Sequence, residues 1–525
     1  MAKDYSVKNI GYPVREKNSV LPLINGEEAW RMVYDHIVRA KKTIHLCFWM
    51  MDDDLEMIRD EDEVFGSPEI RSRYTLYWVL NEKSVADRVE VRILLWDFAP
   101  LDDVVSRYAG LRGGSPPQWI EPRSRRIIER NRVARDAARR TRNKVRASGA
   151  LGNNTFIRKA GEEGRFEVLY QPHPHTGSWH QKTIIIDDSI AFVGGMNAQE
   201  SYWDTSDHLA FDLRRAKHRH TADERRWIAK SKYLGAINNP YHDYMTLIKG
   251  PIVSDVQSNF VERWNYCVSQ KLDYYSEKTH KLPMPQPSDG VSDVKAQIVR
   301  TIPPYEPQRL GEKGIVAAYV KAISNAEQYI YIENQYFRSV TLAEKLVEAA
   351  ERGVKIIIVI HRDAFVAGVP PVPRWVNVEL ADKSFDILRN KLRNSLFFLQ
   401  AFFRNNNGKG CFVTIDLHAK LMIVDDEWYT IGSCNINDAG FETEGELNVS
   451  VQHSSAKDLR ARIFSLHLRQ PCPEDIKEAF KLWDKDSGEN YKAWQNLAPP
   501  KSFVFPFNPK TGLFVREPTG GFAGF

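Results

Sequence analysis

Two stretches decide the fold: Trp179–Asn197, WHQKTIIIDDSIAFVGGMN, and Leu417–Asn435, LHAKLMIVDDEWYTIGSCN. They superpose without a gap, so that His180, Lys182, Asp187, Gly194 and Asn197 fall on His418, Lys420, Asp425, Gly432 and Asn435. The spacing H-x-K-x-x-x-x-D should arise by chance about 0.1 times in a chain of this size. It occurs twice, with matching continuations. In each copy four β-formers follow the lysine, and Asp187-Asp188-Ser189 or Asp425-Asp426-Glu427 reads as a turn. A second strand then ends in Gly-Gly or Gly-Ser. Each block therefore predicts a β-hairpin with a His and a Lys on one face at one end, and an Asn returning near them.

The repeat extends upstream. Glu27–Ala40 is helix-like and leads into the strand pattern Thr43–Trp49, TIHLCFW, followed by Ala86–Asp97, ADRVEVRILLWD. Gly314–Ala326 likewise leads into Tyr329–Phe337, YIYIENQYF, followed by Ala350–Arg362, AERGVKIIIVIHR. Strands alternating with helices predict βαβ units and a largely parallel or mixed sheet in each half.

A lone strand histidine is ordinarily structural. A His–Lys pair facing a cavity is harder to explain that way, because an unpaired buried cation is costly. Two converging pairs need an anion between them. A phosphate held by Lys182, Lys420, Asn197 and Asn435 fits that requirement. Two imidazoles across one phosphodiester can divide the work: a neutral one attacks phosphorus, and a protonated one gives its proton to the leaving alkoxide. The lysines offset charge on the equatorial oxygens. The chemistry needs no metal or other cofactor, and no carboxylate cluster suited to a metal stands out.

Composition bounds the remainder. The chain has 525 residues, 42% of them hydrophobic and 27% charged, which excludes disordered, collagen-like and disulfide-scaffold classes. No apolar run approaches a membrane span, and Met1–Val20 has no apolar core of the length a Sec signal needs. Five irregularly spaced cysteines predict a reduced compartment. The net charge is +5, yet Arg123–Arg146 alone holds eleven Arg or Lys against Glu129 and Asp136, leaving the remainder acidic. That stretch reads as a helical insertion. It is either a solvated face or a surface attracted to polyanions, anionic lipid or nucleic acid.

The duplicated H-x-K-x-x-x-x-D sets resemble the hallmark of the phospholipase D superfamily. The likeness extends to Tyr331–Phe337, YIENQYF, to Trp203–His208, WDTSDH, and to His242–Trp264, HDYMTLIKGPIVSDVQSNFVERW, from about residue 25 to about 450. It favours the phospholipase branch over the small dimeric nucleases that carry one motif per chain.

The resemblance implies an α/β fold of two similar αβα-sandwich halves, mixed sheets flanked by helices, related by a pseudo-two-fold. It divides the chain into an N-terminal segment (1–24), a first half (25–290) with the basic insertion at about 121–149, a second half (291–470) and a C-terminal tail (471–525).

By the same resemblance His180 is the nucleophile that forms a phosphohistidine, and His418 is the general acid and then the base that activates water. The sequence itself does not distinguish the two. Lys182, Lys420, Asn197 and Asn435 bind phosphate oxygens, and Asp187 and Asp425 act within the motif scaffold. Orienting carboxylates are expected at Asp243 for His180 and at Glu446 for His418, with Glu444 the close competitor.

There are departures. Trp179 stands where a second His is common, and His173 and His175 read as loop histidines near a mouth. Leu396–Phe403, LFFLQAFF, is either core or a segment that dips into a lipid interface.

The expected activity is cleavage of the distal phosphodiester of a glycerophospholipid to phosphatidic acid and a head-group alcohol. The partners are a phospholipid surface and water or a small alcohol as acceptor, with Arg123–Arg146 on anionic lipid. Alternatives are a cardiolipin synthase-like transferase, a nucleic-acid phosphodiesterase, and a non-catalytic phosphate binder. A cytoplasmic or peripheral membrane location is expected, and export without a Sec signal is compatible with the sequence.

Overall fold

The computed structural model describes residues 3–60, 65–97, 155–174, 177–271, 279–305, 310–362 and 383–507, the last with breaks at 385, 389–391 and 393–394. The basic stretch Arg123–Arg146 and His175 lie outside the described residues.

Joined by β1 (Arg15–Ile24) from within the expected N-terminal segment 1–24, the first half contributes strands β2 (Thr43–Phe48), β3 (Glu90–Asp97), β4 (Glu167–Pro172), β5 (Thr183–Ile186), β6 (Ile190–Gly194), β7 (Tyr241–His242) and β8 (Tyr244–Lys249). The second contributes β9 (Val294–Ile302), β10 (Glu312–Lys313), β11 (Tyr329–Asn334), β12 (Phe337–Arg338), β13 (Lys355–Ile360), β14 (Leu396–Arg404), β15 (Gly410–Thr414), β16 (Asp416–Leu417), β17 (Lys420–Val424), β18 (Trp428–Gly432), β19 (Ile436–Asn437), β20 (Glu446–Gln452) and β21 (Val504–Pro506).

One sheet runs β4-β3-β2-β5-β6-β8-β1, its first two pairings parallel and the rest antiparallel. The other runs β14-β13-β11-β17-β18-β20-β9 with the same senses in the same order. The duplication read from the hairpins is thus a duplication of whole sheets. β1 joins them: its start pairs with β9 at Arg15 and Asn18, and its later residues pair with β8.

Both faces of each sheet are covered, which explains the near-continuous apolar runs. In β2, Ile44, Leu46 and Phe48 face an outer core with the helices Asn25–Arg39 and Leu76–Val85, while Cys47 faces inward. In β17, Leu421 and Ile423 face inward, and Met422 and Val424 pack under Gly314–Asn325 and Val340–Glu351. The inward faces share one core with the helices Val253–Ser269 and Ser455–Leu468, which follow β8 and β20. The architecture is mixed α/β, large mixed sheets flanked by helices, as the sequence predicts.

Two segments gain a definite place. Leu396–Phe403 is strand β14, paired with β13, β15 and β21, so it is core and not a lipid-facing loop. Within the expected tail, the helix Ile476–Gln495 buries Trp483 completely in the central core, and β21 extends the second sheet. No helix among the described residues is long and apolar enough to cross a membrane.

Candidate active site

Each hairpin turns on a pair of aspartates in the left-handed region: Asp187 and Asp188 at φ 51° and 54°, Asp425 and Asp426 at 54° and 57°. Consecutive positive φ values give a turn whose twist matches the strands, and Asp tolerates them better than most residues. The carboxylate of Asp187 accepts the backbone N–H groups of Lys41, Lys42 and Thr43 at 2.7–3.0 Å. That of Asp425 accepts those of Glu327, Gln328 and Tyr329 at 2.8 Å, and Lys3 Nζ at 2.9 Å. Both aspartates therefore fasten the turn to the start of the neighbouring antiparallel strand, β2 or β11. They sit at the far end of the hairpin, on the order of 15 Å along the strand from the lysines. Grouped with the catalytic residues but expected to act within the motif scaffold, they make backbone contacts that fit the scaffold part of that expectation.

At the other end the two halves interlock. β16 pairs in parallel with β7, and the His418 N–H donates to the His242 carbonyl at 2.9 Å. The counterpart is the Trp179–Gly445 bridge, where the His180 N–H donates to the Gly445 carbonyl at 2.7 Å. Each histidine segment thus lies beside the carboxylate segment of the opposite half. The side chains follow: His180 Nδ1 meets Glu446 Oε1 at 2.9 Å, and His418 Nδ1 meets Asp243 Oδ2 at 2.8 Å. This corrects the expected pairing, which kept Asp243 with His180 and Glu446 with His418. The crossing arises from the two short parallel ladders, which sequence order does not reveal. Glu444 instead accepts the Ser178 hydroxyl at 3.2 Å.

The residue after the glycine of each repeat, Gly194 or Gly432, adapts to its carboxylate. Ser433 donates its hydroxyl to Glu446 Oε2. At the equivalent Gly195 a Cβ would lie 2.4 Å from Asp243 Oδ1, so only glycine leaves room for that carboxylate. Trp179 has a packing role: Arg263 stacks 4.4 Å above its ring, and its Nε1–H donates to the Pro172 carbonyl at 3.1 Å. Gly445 is held to glycine by that same indole, 2.1 Å from where a Cβ would stand. His173 is buried against the Trp179 ring rather than free in a loop.

All four motif side chains are buried, at 6% exposure for each histidine, 1% for Lys182 and 0% for Lys420. Each lysine donates to the carbonyl of its own histidine, and Lys182 Nζ lies 5.5 Å over the Trp49 ring. Burial, then the neighbouring lysine charges, hold both imidazoles well below their ordinary pKa. Burial also pulls Lys182 down to about 7 and Lys420 to about 8. It pushes Asp243 up to about 7 and Glu446 to about 8, against the pull of the lysines. Every one of these groups feels charges from both halves, so the two sets form a single electrostatic site. A phosphodiester anion between the lysines would restore their charge.

Asn197 Nδ2 donates to the Tyr202 hydroxyl at 2.8 Å, and that tyrosine ring meets the His418 ring edge-on at 5.1 Å. Asn435 is buried, with its Oδ1 unpartnered. Sequence reasoning shows that Gly195 and Ser433 occupy equivalent places, so that the halves are not chemically identical, but it gives Ser433 no role, and it missed Gln181. Gln181 Oε1 accepts from Asn259 and Arg263, both at 2.7 Å, and its Nε2 donates to the Glu446 carbonyl at 3.2 Å.

Comparison with known proteins supplies the family. Residues 36–361 match the model of the Phospholipase D family, and residues 319–467 match that of the Cardiolipin synthase, PLD-like domain. The chain is 25% identical to Phospholipase D A of Dictyostelium discoideum over 83% of its own length and 33% of that protein. It is 25% identical to Phospholipase D alpha 3 of Arabidopsis thaliana over 79% of its length and 58% of the relative. The chain thus spans a third to three-fifths of these curated relatives. Among solved structures, the phosphatidylserine synthase of Haemophilus influenzae Rd KW20 aligns with a TM-score of 0.46 at 11% identity, over 86% of each chain.

Proposed function

Because the chain belongs to the phospholipase D superfamily, we propose that it hydrolyses the distal phosphodiester of a glycerophospholipid, giving phosphatidic acid and the head-group alcohol. The observation that carries this reading is the crossed pair of His–carboxylate contacts around two buried lysines. Each carboxylate takes the Nδ1 side of its ring, which leaves Nε2 for the substrate.

In the order the family resemblance implies, His180 Nε2 attacks phosphorus and the P–O bond to the head group breaks. The leaving alkoxide takes the Nε2 proton of His418. The phosphatidyl group then rests on His180. His418 removes a proton from water, the hydroxide attacks phosphorus, and the P–N bond breaks, returning His180. Lys182 and Lys420 offset the charge on the non-bridging oxygens throughout, joined by Asn197 and Asn435 as amide contacts. No cofactor takes part in these steps.

The match of residues 319–467 to the cardiolipin synthase-like domain favours a second reading, in which an alcohol replaces water and the product is a new phosphodiester. Head-group release from vesicles of defined phosphatidylcholine, phosphatidylethanolamine and phosphatidylglycerol, with and without ethanol, tests both. Hydrolysis predicts free head group and phosphatidic acid, and transfer predicts phosphatidylethanol. Plasmid cleavage without head-group release would overturn the lipid reading.

A further inference from the structure

Three blocks that carry the family resemblance enter the reaction above only through Asp243: WDTSDH, HDYM and YIENQYF. In the structure they converge on one carboxylate. Glu333, on β11 of the second half, is completely buried. Its Oε1 accepts the hydroxyl of Tyr331 at 2.6 Å, the hydroxyl of Tyr244 at 2.8 Å and His467 Nε2 at 2.9 Å. Its Oε2 lies 3.0 Å from His242 Nε2. The Tyr244 hydroxyl also meets His242 Nε2, at 2.8 Å. Further out, His242 Nδ1 contacts Asn25 Oδ1 at 2.7 Å and His208 Nε2 at 3.2 Å. His208 in turn is held by Asp204, and Asp204 by Arg215.

Two of these residues, His242 and Tyr244, flank Asp243. Side chains of an extended segment alternate, so the residues on either side of Asp243 face Glu333 while Asp243 faces His418. The backbone is fixed as well. The Asp243 carbonyl accepts the Asn25 N–H at 2.9 Å, and Asp243 Oδ1 accepts the Tyr244 N–H at 2.8 Å. A carboxylate of the second half therefore grips, on both sides, the residue of the first half that orients the second half's histidine.

We propose that Glu333 is a positioning residue: through His242 and Tyr244 it sets Asp243, and through Asp243 the ring of His418. The inference rests on the phosphodiesterase reading of the site. His242, Glu333 and His467 also present atoms within 4.8 Å of one another, a spacing a metal ion could use. Hydrogen bonding accounts for most of the cluster, with Glu333 Oε2 and His467 Nδ1 left without a hydrogen-bond partner. Glu333 Oε1 already takes three donors. Burial, then the Glu333 charge, keeps the two tyrosine hydroxyls protonated.

The test uses the full chain and compares two phosphatidyl esters, one with an alkyl head group and one with p-nitrophenol, whose departure needs little proton transfer. The ratio of their rates in His418→Ala and Asp243→Asn defines one signature, and the ratio in His180→Ala and Glu446→Gln defines another. Glu333→Gln should lose about 100-fold in kcat on the alkyl ester at nearly constant KM, the scale of an ångström misplacement. Its rate ratio should copy the His418 and Asp243 signature. Tyr331→Phe, a milder change, should show the same ratio with a loss of about tenfold. An unchanged kcat in both variants, or a ratio matching the His180 set, overturns the proposal. So does stoichiometric zinc in the purified protein that is absent from Glu333→Gln. A wild-type chain that hydrolyses neither ester instead overturns the phosphodiesterase reading.

Discussion

His180 and Glu446 lie 266 residues apart in the chain and share a hydrogen bond of 2.9 Å. The reciprocal contact, His418 with Asp243, spans 175 residues. Each half supplies a base and borrows the group that orients it.

The crossing predicts a pattern of non-additivity. Glu446→Gln should lower kcat/KM about 100-fold in the wild type and add nothing to His180→Ala, while Asp243→Asn should behave so toward His418→Ala. Each His→Ala change should cost at least about 1,000-fold with the fold intact by circular dichroism. Double-mutant cycles on kcat/KM check this. Coupling of Asp243 to His180 in place of His418 would contradict the structure.

Activity should have a bell-shaped pH dependence. Asp243 and Glu446 titrate near 7 and 8, above ordinary carboxylates, so they are protonated and poor partners for an imidazolium at lower pH. Activity therefore falls as pH drops through that range. Lys182 and Lys420 titrate near 7 and 8, below ordinary lysines, and lose their charge as pH rises. A profile of kcat/KM, which reports the free enzyme, should peak narrowly between about pH 7 and 8. A flat profile from pH 5 to 9 would contradict it.

Gly195→Ala should fold yet be impaired. The added methyl would lie 2.4 Å from Asp243 Oδ1 and must push that carboxylate from His418. A loss of about 100-fold in kcat with a melting temperature near that of the wild type is expected. A normal rate would mean that Asp243 tolerates displacement.

Asp187→Ala and Asp425→Ala should do the reverse. Each change removes the acceptor of three backbone N–H groups, of which that of Thr43 is half-buried and that of Tyr329 buried while the others belong to exposed residues. The cost is on the order of 1–3 kcal/mol, and the pocket is left untouched. Urea titration should register the loss while kcat per folded molecule stays near normal. A collapse of kcat at unchanged stability would return these aspartates to the chemistry.

Neutralising the arginines of Arg123–Arg146 should weaken binding to anionic vesicles and flatten its salt dependence, at roughly 1 kcal/mol per charge. Cosedimentation across ionic strengths measures it. Unchanged binding would make the stretch an ordinary solvated surface.

The sequence carried the repeat, the hairpins and the four histidine and lysine positions because those depend on spacing within short segments. Asp187 and Asp425 were visible too, and the resemblance implied a scaffold task, but their partners were not legible, since the N–H groups they accept lie far away along the chain. The exchange of Asp243 and Glu446 depends on which strand ends meet across the pseudo-two-fold, and no local pattern encodes that. Glu333 was hidden differently: YIYIEN scans as a buried strand, and its one acid gains meaning only from Tyr244, His242 and His467 brought in from three other elements.

The borrowed orienting groups also constrain how this architecture can arise and be taken apart. A solitary repeat would own a histidine and a lysine but aim its acid outward, at a neighbour, so competence belongs to the couple and never to one member. Severing the chain between the halves should yield inert fragments that regain turnover only when mixed, and an inactivating change in one fragment should be complemented by no change confined to that same fragment.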